Sequence, residues 1–145
     1  MEILNQLHMH LLHPKVIHFP IALFVGAMGM EALSLIFKKD NIHRTTLHMY
    51  IFATVITPFV VLTGLQEAEH LHLGHPILTI HRNFALLTMW GSLVSLPIFW
   101  LAKKKSEKAL RIVFIIFLLM LVGFVSITGH NGGRMVYEYG VGVDQ

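Results

Sequence analysis

ALRIVFIIFLLMLVGFVSIT, residues 109–128, decides which solvent this chain folds in. One charge, Arg111, interrupts it, two residues from its start. As a helix rising 1.5 Å per residue it reaches across about 30 Å, the hydrocarbon thickness of a bilayer. A buried strand is shorter, and a helix on a soluble core shows polar residues every third or fourth position. The run fits neither pattern, so it predicts a transmembrane helix.

Three further apolar runs of spanning length precede it, at roughly 16–37, 45–63 and 77–102. Charge is sparse inside them, apart from Glu31 in the first and Arg82 near the start of the third. The connections are short, so consecutive helices are expected to be antiparallel neighbours. Lys38, Lys39 and Arg44 crowd the first connection, and Lys103, Lys104, Lys105, Lys108 and Arg111 the third. The second holds Glu67 and Glu69 and no Lys or Arg between Gly64 and His81. Positive-inside bias then puts connections one and three in the cytoplasm. Both termini and the second connection are then expected to face outward, to the periplasm in a two-membrane bacterium.

Composition agrees. Of 145 residues, 54% are hydrophobic and 13% charged, against about 25% charged in a soluble domain. The pI near 9.4 comes from basic residues between apolar runs, where they flank a membrane and form no stripe for nucleic acid. The absence of cysteine excludes disulfides, thiolate metal sites, iron–sulfur clusters and the C-x-x-C-H attachment of c-type haem. Glu2 stands where a cleaved signal would be basic, so the first apolar run is expected to be retained as a helix. Segment 1–12 is too short to span; Ile3, Leu4, Leu7 and Leu11 fall near one helical face and suit the outer interface. The chain thus reads as one all-α membrane domain over 1–145, a four-helix transmembrane bundle. Residues 130–145 form a glycine-rich outward tail.

The chain also looks like a tandem duplicated two-helix hairpin, with halves at about 8–64 and 70–129. His8-x-His10-x-x-His13-Pro14 with His18 is echoed by His70-x-His72-x-x-His75-Pro76 with His81. An apolar helix, a basic connection and a second apolar helix follow each motif. Those second helices end in Thr63-Gly64 and Thr128-Gly129. Duplicating an even number of spans preserves orientation, so the halves are expected to be related by a two-fold axis along the membrane normal. Alternatively, four-helix proteins simply start helices alike, since proline suits the first turn.

Eleven histidines are present, and this topology turns His8, His10, His13, His18, His70, His72, His75, His81 and His130 outward. Imidazole is a common ligand of haem iron, copper and zinc, although interfacial histidine is also cheap. His18 and His81 stand out because each lies about one turn inside a helix, where an unsatisfied polar group is costly. Each heads a stripe of small residues: Ala22, Gly26 and Gly29 below His18, and Ala85, Thr88, Ser92 and Ser95 below His81. Gly123 and Ser126 precede His130 in the same way. Such stripes admit a flat macrocycle, or simply let helices pack closely. With a macrocycle, His18 and His81 lead as axial ligands, then His130 and His13, then His75. Arg82, Arg134 and Lys15 are placed to pair with haem propionates.

His13-Pro14-x-x-x-His18-Phe19-Pro20 resembles the opening of a bacterial family of predicted membrane proteins, DUF2231. Thr128-Gly129-His130-Asn131-Gly132-Gly133-Arg134 and Val136-Tyr137-Glu138-Tyr139-Gly140-Val141-Gly142-Val143 are similar to its terminal signature, with Asn131 where a more apolar residue is expected. The resemblance covers nearly the whole chain. It implies a four-helix inner-membrane protein with functional histidines at His13, His18, His81 and His130, and it assigns no activity.

The leading expectation is therefore a membrane electron carrier holding one or two b-type haems near the periplasmic face. A quinone or a periplasmic cytochrome would be its exchange partner, with no stand-alone enzymatic step, in a monomer or an oligomer. Copper or zinc binding and transport through the outward His-x-His clusters is a second reading, with Glu67 and Glu69 nearby. A non-catalytic subunit with structural histidines is a third. Glu31, an intramembrane carboxylate, is expected near His48. Hydrolase, Walker and Rossmann motifs are absent.

Overall fold

The computed structural model describes residues 12–70, 76–105 and 108–141, all within five helices and their turns. These are α1 (Leu12–Val16), α2 (His18–Phe37), α3 (Asp40–His70), α4 (Pro76–Lys105) and α5 (Lys108–Tyr137). The last four are long and apolar enough to cross a membrane, with α1 and α2 together making the first span. The chain is a four-helix membrane bundle.

The helices outlast the apolar runs that announce them. α3 has 31 residues and α4 and α5 have 30 each, about 45 Å at helical rise, so their ends protrude or the helices tilt. Of the four long helices α2 is the shortest, at 20 residues, and its end is chemically explicit. Lys38 adopts the left-handed conformation (φ 53°), and the Ser34 hydroxyl donates to the Lys39 carbonyl (3.2 Å) across the reversal into α3.

The stretch after His130, expected as a tail, continues α5 to Tyr137. Gly132 and Gly133 are helical, because burial of Asn131 on the core side keeps the helix in register past its apolar run. The helix stops one turn later at Gly140 (φ 63°). There the Gly140 amide donates back to the Val136 carbonyl, the 5→1 bond of an αL cap, and the Val141 amide donates to the Met135 carbonyl.

The spans pack as a ring. α2 and α4 each lie against both α3 and α5, while the diagonal pairs α2/α4 and α3/α5 keep their backbones apart, and α1 sits on α3 and α2. Large apolar side chains such as Phe52, Phe59, Trp90, Val94, Trp100 and Ile116 point outward. The interior mixes Phe24, Tyr50, Phe99, Phe114, Leu118 and Leu121 with buried Thr46, Thr54, Thr57, Thr88, Ser92 and Ser95. Lipid solvates the outward apolar surface, so hydrophobicity does not sort inside from outside; small and hydrogen-bonded residues do. Every buried side-chain polar atom among the described residues has a partner.

The two hairpins correspond in register. Buried Pro20, Phe24, Ala27 and Glu31 match buried Thr88, Ser92, Ser95 and Phe99, each 68 positions on; Thr46, Tyr50, Ala53, Thr57 and Val60 match Phe114, Leu118, Leu121, Val125 and Thr128 at the same step. The histidine motifs suggested a smaller step, pairing His18 with His81. The difference decides which histidines meet.

Candidate functional site

One end of the bundle, where α1, α3, α4 and α5 converge, holds His13 and His81. Their ring centroids are 6.3 Å apart with planes at 85°. His13 Nδ1 lies 3.0 Å from the Val60 carbonyl oxygen and 3.2 Å from Thr63 Oγ1. His81 Nδ1 lies 2.9 Å from the Thr128 carbonyl oxygen. In both cases the acceptor is 47 residues downstream, so the two arrangements correspond at the common register.

A carbonyl oxygen only accepts, so each Nδ1 carries the ring proton and each Nε2 keeps its lone pair. Neither Nε2 has a hydrogen-bond partner among the described residues. Histidine ligands of metals are commonly arranged in this way, with the far nitrogen donating to a carbonyl or carboxylate that orients the ring. Both rings are largely withdrawn from solvent, His81 being 9% exposed and His13 half-buried.

The neighbouring glycines make the seat. A Cβ on Gly64 would stand 2.7 Å from His13 Cε1, and one on Gly132 3.2 Å from His81 Cε1. These two glycines are again 68 positions apart.

The other sequence candidates lie elsewhere. His18 is exposed, as are Ala22 and Gly29 in its stripe, and a Cβ at Gly29 would meet nothing within 4 Å. Gly26, between them, packs against the Met49 side chain of α3, so no slot opens below His18. His130 is exposed, together with Gly123 and Ser126. The stripe below His81 does turn inward, but Tyr50 fills it: its hydroxyl donates to the Ser92 carbonyl (2.8 Å) and pairs with Ser95 Oγ. There the small residues serve helix packing. Arg82 and Lys15 are exposed, and Arg134 is engaged with Glu138 (2.8 Å) and lies over the Tyr139 ring. His8, His10, His72, His75 and the side chain of His70 fall outside the described residues, as does segment 1–11. Among the described residues, no three His, Asp or Glu side chains gather as a metal-ion site.

A second polar cluster closes the opposite, basic end. Glu31, 1% exposed, accepts from Arg111 Nε on Oε1 (2.8 Å) and from His43 Nδ1 on Oε2 (2.7 Å). Arg111 Nη2 also donates to Ser34 Oγ (2.8 Å). The expected neighbour, His48, is exposed instead. Five residues past His43 is about 140° around the helix, which carries it off the core face. His43 and Arg111 are themselves register equivalents, so both hairpins deliver a donor to one carboxylate.

Fold and site together define a small multi-pass membrane protein with a paired-histidine end and an ion-paired end. The chain belongs to the family of predicted membrane proteins DUF2231, whose model matches residues 9–145. No curated protein and no solved structure matches it.

Proposed function

We propose that this protein is a b-type haem carrier in which His13 and His81 are the axial ligands of one iron, and that it transfers electrons near the outer face of the bacterial inner membrane. One observation carries the reading: two register-equivalent imidazoles, His81 buried and His13 half-buried, are oriented by backbone carbonyls, and neither Nε2 has a hydrogen-bond partner among the described residues. With about 2 Å from iron to nitrogen and about 1.2 Å from nitrogen to ring centre, collinear axial imidazoles have centroids ~6.4 Å apart. The present spacing of 6.3 Å is compatible with that value, as it is with a direct edge-to-face ring contact.

Among the described residues two imidazoles meet at this end, a number that suits haem. Structural zinc takes four ligands and catalytic zinc at least three from protein, whereas a porphyrin supplies four donors and asks two of the chain. Two histidines occupying both axial positions leave no open coordination site, which suits electron transfer and not oxygen chemistry. Positive-inside bias at the basic Glu31 end supports a cytoplasmic position for that end, and the histidine pair would then face the periplasm. A membrane quinone or a periplasmic cytochrome is then within reach as exchange partner.

The test is the visible spectrum of the purified, detergent-solubilised protein, oxidised and dithionite-reduced, with pyridine haemochrome giving the stoichiometry. One haem per chain is expected. His13→Ala and His81→Ala should each abolish the sharp reduced band, while His18→Ala and His130→Ala keep it. A featureless spectrum from cells supplied with haem overturns the reading; loss in His18→Ala with retention in His13→Ala overturns the ligand assignment.

A further inference from the structure

We infer that Gly64 is a positioning residue for His13, holding the ring by the absence of a side chain so that Nδ1 meets its carbonyl; Gly132 is the looser counterpart beside His81 and has room for a methyl group. In its redox consequence the inference rests on the haem reading; in its tautomer consequence it stands without it.

Each hairpin contributes the same set at the same register. His13 has the Val60 carbonyl for Nδ1 and Gly64 against Cε1; His81 has the Thr128 carbonyl and Gly132. Neither glycine has positive φ, so conformational freedom does not explain them. Room for the ring does. Nor is small size needed here for helix packing alone, because for both glycines the atoms nearest to an added Cβ belong to the histidine.

The seats differ in tightness. At Gly64 an added Cβ would lie 2.7 Å from Cε1 and 3.1 Å from both ring nitrogens, well inside van der Waals contact. His13 cannot swing aside freely, because Nδ1 is held by Val60 and Thr63. Gly64→Ala must break that hold. At Gly132 the distances are 3.2 Å to Cε1 and 3.4 Å to Nδ1, so a shift of a few tenths of an ångström admits the methyl group. The first substitution should therefore disturb its histidine far more than the second.

The decisive measurement is ring nitrogen-15 NMR of the full chain in detergent, which reports which nitrogen carries the proton. In the unsubstituted protein without haem, His13 and His81 should both be Nδ1–H tautomers. Gly64→Ala should lose that signature for His13 alone; Gly132→Ala should keep both, as should Gly123→Ala, whose Cβ meets nothing within 4 Å. If His13 and His81 held a haem with their rings near-perpendicular, as they now stand (85°), the ferric protein would give a strongly anisotropic low-spin EPR signal. Gly64→Ala should shift this toward the ordinary rhombic form. If Gly64→Ala does not fold, adding His13→Ala should restore folding, since removing the ring removes the collision.

An unchanged His13 tautomer in Gly64→Ala, or a folding defect that His13→Ala does not relieve, overturns the inference. Haem that binds with an EPR signal indifferent to Gly64→Ala overturns the seat and leaves the carrier. The tautomer pattern in a protein that takes up no haem overturns the carrier and leaves the seat.

Discussion

Replacing Arg111 by alanine removes the permanent cation of the ion-paired end. Arg111 makes two hydrogen bonds of 2.8 Å, to Glu31 Oε1 and Ser34 Oγ, and its loss leaves the carboxylate with His43 alone. Breaking a buried pair by removing one partner costs about 3–5 kcal/mol. Arg111 is not fully buried, its side chain being 30% exposed, so water partly replaces it and the cost falls below that range, to ~2–3 kcal/mol. Glu31, at 1% exposure, has no such recourse. The cost should therefore appear as a stranded carboxylate, and Glu31→Gln in the Arg111→Ala background should recover more than half of it. Reversible SDS unfolding in mixed micelles, run on both single variants and the double, supplies the cycle. A loss below about 0.5 kcal/mol for Arg111→Ala, or no recovery from Glu31→Gln, would refute the claim that Glu31 is held as a buried anion.

Tyr50→Phe should cost about 1 kcal/mol in the same assay, because the Ser92 carbonyl loses a donor while Ser95 keeps its bond to Gly91. Gly29→Leu should leave stability unchanged within about 0.5 kcal/mol, since that position opens outward; a large loss would mean that another surface covers it. A periplasm-active reporter fused after Gln145 should be active and one inserted at Lys39 inactive, and the reverse result would invert the membrane orientation. Thr63→Val should weaken the hold on His13 and broaden its ring resonances without disturbing those of His81, because only His13 has a side-chain partner on Nδ1.

Much of the fold is legible in the chain. Residues 109–128 suffice for one span, and length with composition yields the other three. The site is less so. Alignment of the histidine motifs matched His18 with His81, but the buried faces match His13 with His81. Those motifs lie at the helix starts and in the connection, where similarity carries no information about rotation. The pattern of buried residues does carry it, and the signal was present: Thr46, Tyr50, Ala53 and Thr57 repeat the spacing of Phe114, Leu118, Leu121 and Val125. In a membrane helix that signal is faint, because residues facing lipid are as apolar as those facing the core.

The sequence by itself determined the solvent, the number of spans, the basic end and the histidine-bearing end, because transfer into lipid is a sum over residues and needs no knowledge of neighbours. Only the tertiary structure decided which histidines face each other. His13 and His18 are five residues apart, about 140° of helical rotation, with Ile17 still bonded back to His13 (3.0 Å). One therefore points at His81 and the other away from the bundle. That rotation is set by how α1 and α2 seat against α3, where Gly64 leaves room for a ring, and such a fit exists only once the helices have packed.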